Sequence, residues 1–193
     1  MTTWHWVRHG PTHAKSFVGW RDVPADLSDH GQIARLRAHL PDDALLISSD
    51  LTRAHETATS LAGAQHKRLP HNPHIREMHF GHWDGMHFED VSAKDPDLSR
   101  QFWEEPGAIC APGGESWDMA SARVHGVVKH INSKHPDAHI IAVAHFGVIL
   151  TQLQRALGVT AYEVLAQPID NLSVTQITWN STKVAAPLIN HLP

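Results

Sequence analysis

The 193-residue sequence predicts a three-layer α/β/α sandwich with a mostly parallel central sheet, an antiparallel edge strand, and an inserted loop and helical excursion over one end. Three observations carry this. Apolar runs at residues 4–7, 44–48 and 140–144 read as buried strands, the last (IIAVA) nearly continuous, as parallel strands covered on both faces tend to be. Helical patterns lie between them, and strands alternating with helices imply parallel crossovers. Near the end, residues 173–179 alternate at period two, Asn180-Ser181 offers a turn, and residues 184–189 can return as a partner strand.

The elements follow in order. Ser28 can cap a helix in which Ile33, Leu36 and Leu40 recur at helical spacing before Pro41 stops it. Residues 51–61 form a second helical pattern and 116–131 a third, with Ser116 at its entry. Residues 70–114 differ, being rich in Pro, His, Gly and Trp with only short helical patterns at 88–93 and 98–103. They read as a lid-like excursion within one domain spanning 1–193, because no repeat, charge block or linker marks a boundary.

Hydrophobic residues make up 41% and charged residues 19%, values of a folded globular chain. A formal charge of −4 provides no basic field for nucleic acid or anionic lipid, so an anion must be held by a few placed cations. That points to a small-molecule partner. MTTWHWVRHG lacks the features of a secretory signal, and no apolar run approaches the ~20 residues that span a bilayer, so a soluble cytoplasmic protein with no membrane partner is expected. Cys110 is the only cysteine and has no neighbouring cation to activate it. Eighteen histidines include a group at His71, His74, His79, His82 and His87, but neither zinc-finger spacing nor H-E-x-x-H accompanies them. They read as solvated loop residues, and neither metal nor cofactor is expected. The terminal hairpin leaves a homodimer possible.

In an open α/β sheet, ligands bind outside the carboxyl ends of the strands. Three segments stand there: Arg8-His9-Gly10, Ser49-Asp50-Leu51-Thr52-Arg53 and His145-Phe146-Gly147. Two arginines and two histidines would converge, a set suited to a tetrahedral dianion because each guanidinium fork matches phosphate oxygens. Gly10 removes a side chain where backbone must approach the ligand, and a turn near Thr12 can aim amides and a hydroxyl at the same anion.

The segments VRHGPT, GWRDVPADLSDHG, SSDLTRAHETA, REMHFGHWDG, PGGES and VAHFGVI occur in an order and spacing that resembles the histidine phosphatase superfamily, also called phosphoglycerate-mutase-like. The likeness touches most of residues 4–150. It implies that His9 is the nucleophile, accepting the phosphoryl group as phosphohistidine, with its other ring nitrogen tied to a backbone carbonyl near Gly10. It implies that Arg8, Arg53 and His145 complete the phosphate pocket, and that Glu77 protonates the leaving oxygen and later activates water, with Asp84 the runner-up. Such an acid must hold its proton more tightly than a free glutamate. Thr12 matches a hydroxyl residue that can bond the phosphate. Where many relatives carry an asparagine this chain has Lys15, a compact cation without the amide's acceptor, and Phe146 stands where many have a small residue.

The resemblance admits both phosphatases and mutases. Between Glu77 and the third helix, Lys94 and Arg100 are outnumbered by Glu89, Asp90, Asp95, Asp97, Glu104 and Glu105, which favours hydrolysis of a small phosphomonoester over handling of a doubly phosphorylated substrate. REMHFGHWDG followed by APGGES is similar to α-ribazole-phosphate phosphatases, placing α-ribazole 5'-phosphate first among expected substrates. A non-catalytic phospho-ligand binding module is the alternative of another class, although it would need neither His9 nor Glu77.

Overall fold

The computed structural model describes residues 1–180 and 183–193. Strand β1 (Thr2–Arg8) shows how the sequence builds the layers. Its alternation sends Trp4 and Trp6 to one face and Val7 to the other, all three fully buried. Strands β2 (Leu45–Ser48), β3 (Lys67–Arg68) and β4 (His139–Ala144) join it in parallel, and β5 (Val174–Trp179) and β6 (Val184–His191) complete a six-stranded sheet of order β3-β2-β4-β1-β5-β6.

Helices α1 (His30–His39) and α2 (Thr52–Leu61) supply Ile33, Leu36, Ala54, Ala58 and Leu61 to the face that carries Val7, Leu46, Ile141 and Val143. The Trp4 and Trp6 face packs, with Ile140 and Ala142, against α5 (Trp117–Lys134) and α6 (Phe146–Leu157). This gives the three expected layers. The excursion contributes α3 (Phe88–Lys94) and α4 (Pro96–Glu104), whose Val91 and Phe102 join the second core, and a short α7 (Ala161–Val164) follows α6.

Two details depart from the sequence reading, the cap of α1 and helix α6. The cap of α1 is Asp29, whose carboxylate accepts from Gln32 N–H, while Ser28 lies one residue outside and donates its own N–H to Asp26. The expected antiparallel edge is present: β5 pairs antiparallel with β1, and β6 lies at the edge and pairs antiparallel with β5. Asn180 N–H bonds Lys183 O at the connection between them, and Ser181 lies outside the described residues. Helix α6 stands where the sequence reading placed no element, with residues 147–153 buried in a row and Arg155 and Leu157 exposed at its end. No helix among the described residues is long and apolar enough to cross a membrane.

His5 sits on β1 with 8% of its surface exposed, its Nε2 3.1 Å from His139 Nδ1. Burial first, then the neighbouring His139 and His39, pull its pKa from 6.5 down to about 4. The unfolded chain therefore binds a proton at His5 as pH falls below 6.5, whereas the folded chain does so only near 4. Stability should fall across that window by an amount on the order of 3 kcal/mol from this residue alone. Denaturant midpoints at pH 7 and pH 4.5 check this: His5→Asn should lose less stability on acidification than wild type, and equal losses would contradict it.

Candidate active site

Strand β1 ends by delivering Arg8 and His9 to one pocket. His9 is 6% exposed, and its Nδ1 lies 2.6 Å from the Gly10 carbonyl oxygen while Arg53 Nε donates to its Nε2 at 3.2 Å. A carbonyl only accepts and a guanidinium only donates, so these two partners assign the neutral tautomer: the proton is on Nδ1 and the lone pair on Nε2. Burial, then the positive charges of Arg53 and Arg8, hold the His9 pKa down to about 3, against the opposing pull of the Gly10 bond.

The backbone around His9 is pinned from several sides. Gly10 N–H donates to Thr57 Oγ1 at 3.0 Å, and Asn171 Nδ2 donates to the His9 carbonyl at 2.8 Å. A Cβ on Gly10 would stand 2.7 Å from Leu27 Cδ2, so glycine is required for packing against the 25–27 segment; Gly10 is not among the residues lining the pocket. No helix begins near Thr12. Thr12 lines the pocket from an irregular loop, its Oγ1 3.4 Å from Ala14 N–H.

Arg53, on the first turn of α2, is 1% exposed. Besides His9, its guanidinium donates to the carbonyls of Arg21 (3.1 Å), Gly19 (2.7 Å) and Val18 (3.4 Å). It therefore braces the loop after β1 as well as presenting charge to the pocket. Trp20 and Asp22 have shaping roles in the same loop: Trp20 Nε1 donates to Glu77 O, and Asp22 accepts from Thr52. Arg8 donates from Nη1 to Ile169 O at 2.6 Å, and its guanidinium carbon stands 5.4 Å from the Phe146 ring centroid. Burial lowers the pKa of both arginines from their ordinary value, with Glu77 acting in the opposite sense.

His145 caps α6 and is fully buried, its ring 5.1 Å from that of His9. Both its ring nitrogens lack a hydrogen-bond partner, and burial followed by Arg53 pushes its pKa well down, so a neutral imidazole faces the site with spare bonding capacity. Glu77 is 7% exposed and lines the same pocket, with Oε1 accepting from Met78 N–H (2.9 Å) and Oε2 from Gly147 N–H (3.2 Å). A Cβ at residue 147 would come within 2.7 Å of Glu77 Oε1, so glycine after Phe146 is what lets the carboxylate reach this amide.

Arg8, His9, Thr12, Arg53 and Glu77 thus line one pocket of about 330 Å³, with His145 packed on His9. Lys15 is not brought in: it is exposed, while Ala14 and Ser16 on either side of it line the pocket. Asp84, the runner-up acid, is occupied by the Gly19 and Arg21 amides. Among the described residues no group of three or more His, Cys, Asp or Glu side chains is placed to hold a metal.

One clamp escaped the sequence reading. Arg123 on α5 donates to the carbonyls of His74, Arg76 and Glu77 and pairs with buried Glu115, which accepts from His79 N–H. Both flanks of Glu77 are held this way. The GGES segment, read as a helix entry with Ser116 as cap, does contain that cap, but Glu115 is also half of the clamp.

A model of the histidine phosphatase superfamily, branch 1, matches residues 5–191. The chain belongs to this superfamily. Phosphoserine phosphatase 1 of Hydrogenobacter thermophilus is 30% identical over 156 residues, 79% of this chain and 74% of that protein. A bifunctional protein of Mycobacterium tuberculosis is 33% identical over 140 residues, 72% of this chain; the chain spans only 36% of that relative's length. Among solved structures, Bacillus stearothermophilus YhfR superposes with a TM-score of 0.89 at 24% identity, covering 100% of this chain and 98% of that one. Mycobacterial glucosyl-3-phosphoglycerate phosphatase, in complex with VO3, gives 0.84 at 26% identity, covering 97% and 98%. The two solved structures share the whole α/β/α frame on which the pocket is built.

If Arg8 and Arg53 hold a dianion, the pocket should bind inorganic phosphate, and binding to the folded state alone raises thermal stability. Millimolar phosphate should raise the unfolding midpoint of wild type but not that of Arg53→Met, read as the phosphate-dependent increment in each protein. An equal increment in both would place the anion elsewhere.

Proposed function

We propose that this chain is a phosphomonoester hydrolase that works through a phosphohistidine on His9, acting on a small phosphorylated metabolite without a metal ion. The observation that carries this is the fixed His9 tautomer: a neutral imidazole whose Nε2 lone pair accepts from Arg53, in a pocket shared with Arg8 and a carboxyl group.

In this reading the substrate phosphate enters with its oxygens on Arg8 and Arg53. Arg53 Nε exchanges its contact with His9 Nε2 for a phosphate oxygen, which frees the lone pair. Nε2 then forms a bond to phosphorus as the bond from phosphorus to the ester oxygen breaks, and Glu77 gives the departing oxygen its proton. Charge on the equatorial oxygens is met by the two guanidinium groups and by an N–H of His145, whose ring nitrogens are otherwise unpartnered. In the second step Glu77, now a carboxylate, takes a proton from water; the resulting hydroxide attacks phosphorus, the N–P bond breaks, and orthophosphate leaves. The Gly10 carbonyl stabilises the positive charge that develops on the imidazole ring during attack.

Transfer back to the substrate, the mutase alternative, is less well supported. Arg8 and Arg53 are the cations among the residues lining the pocket, and both are engaged at the His9 end, which leaves a second phosphate group without a cation from the lining. A natural substrate panel should include α-ribazole 5'-phosphate, phosphoserine and glucosyl-3-phosphoglycerate, the last two named for the relatives above.

Steady-state hydrolysis of p-nitrophenyl phosphate, paired with rapid-quench trapping of acid-labile phosphate on protein, tests the scheme. Wild type should show both turnover and label, and His9→Ala should lose the label and at least ~1,000-fold of the turnover. Label retained in His9→Ala would mean a different nucleophile, and no turnover by wild type between pH 5 and 8 would contradict hydrolysis itself.

A further inference from the structure

Above the polar floor the pocket is walled by rings. Phe17, Phe80, Phe88, Trp103 and Phe146 line it, drawn from the loop after β1, the excursion, and the first residue of α6. The wall is packed in place: Phe17 lies 4.9 Å from Phe80, 4.2 Å from Phe88 and 6.1 Å from Trp103 by ring centroids. Phe102 backs Trp103 edge-on at 4.9 Å and is itself buried against Trp83 at 5.3 Å. Only Phe88, at the start of α3, stands largely in water, with 55% of its surface exposed. A ring left exposed at a pocket lip gains by covering apolar surface of a ligand.

The charges point the same way. Arg8 and Arg53 are the cations lining this pocket and both lie at the His9 end, Arg53 already shared with loop carbonyls. A carboxylate or second phosphate placed against the Phe17, Phe80, Phe88 and Trp103 side would be desolvated against aromatic carbon, where the lining residues supply no cation to pair it. A flat hydrocarbon ring would instead meet faces and edges suited to stacking.

We propose that the outer half of the pocket is a subsite for a planar apolar group, so that the favoured substrates are phosphate monoesters whose alcohol carries an aromatic ring and no further anion. This rests on the hydrolase reading only for the chemistry at the phosphate; the ring preference is a matter of binding and is measured separately.

Phosphonates, whose C–P bond the proposed reaction does not cleave, isolate it. Calorimetric titration of the full chain with methylphosphonate, benzylphosphonate and phosphonoacetate should rank benzylphosphonate about tenfold or more tighter than methylphosphonate, with phosphonoacetate no tighter than methylphosphonate. Phe88→Ala, which removes an exposed side chain and leaves the core intact, should shrink the benzyl-to-methyl ratio by about threefold or more. Equal affinities, tighter binding of phosphonoacetate, or a ratio untouched by Phe88→Ala would overturn the subsite. Ring preference in a protein that hydrolyses no monoester would leave the subsite standing and remove the hydrolase reading; hydrolysis without ring preference would do the reverse.

Discussion

The Gly10 carbonyl, 2.6 Å from His9 Nδ1, is the contact on which the rest of the site depends. An imidazole has two nitrogens and, when neutral, one proton to place between them. By accepting at Nδ1 this carbonyl puts the lone pair on Nε2, where the pocket opens and where Arg53 reaches. Burial and the two guanidinium groups then keep a second proton away, with the His9 pKa near 3. In the proposed mechanism the guanidinium groups that would receive an anionic ligand are thus the same ones that keep the ring available as a nucleophile. The carbonyl bond favours the protonated ring and opposes this trend, but its larger effect is orientation.

That orientation is inherited from the fold. Gly10 is held by Thr57 on α2 and by contact with Leu27, and the His9 carbonyl by Asn171 just before β5, so elements on both sides of β1 fix one ring. Glu77 is treated similarly, by amides from its own segment and from α6, with Arg123 and Glu115 bracing the backbone on either side. The two groups that the proposed mechanism sets across a phosphate are carried by rigid neighbours rather than by free loops. The cost is local intolerance: Gly10 and Gly147 each sit where a single Cβ would collide.

Much of this was legible in the sequence, for identifiable reasons. The strands at Trp4, Leu46 and Ile140 announce themselves because both their faces are covered, and the rule that ligands bind beyond strand ends singles out Arg8, His9, Arg53 and His145 without further help. Glu77 has no such signature; only the resemblance of its neighbouring segment marks it. Helix α6 was passed over because the sequence reading stopped at His145-Phe146-Gly147 as a strand-end segment, and Asp29 displaced Ser28 as a cap because adjacent capping residues compete within one turn. Arg123, Thr57 and Asn171 act on backbone atoms whose positions exist only after folding, so no spacing in the chain foretells them. Lys15 shows the converse, a charge beside the motif that faces solvent instead of the pocket.

The most direct measurement is the protonation state of the His9 ring, by nitrogen NMR of protein labelled at histidine, with the His9 signals assigned by their loss in His9→Asn. The account predicts a neutral ring from pH 5 to 8, with Nδ1 protonated and Nε2 bare. An imidazolium titrating near 6.5, or a neutral ring with its proton on Nε2, would contradict it.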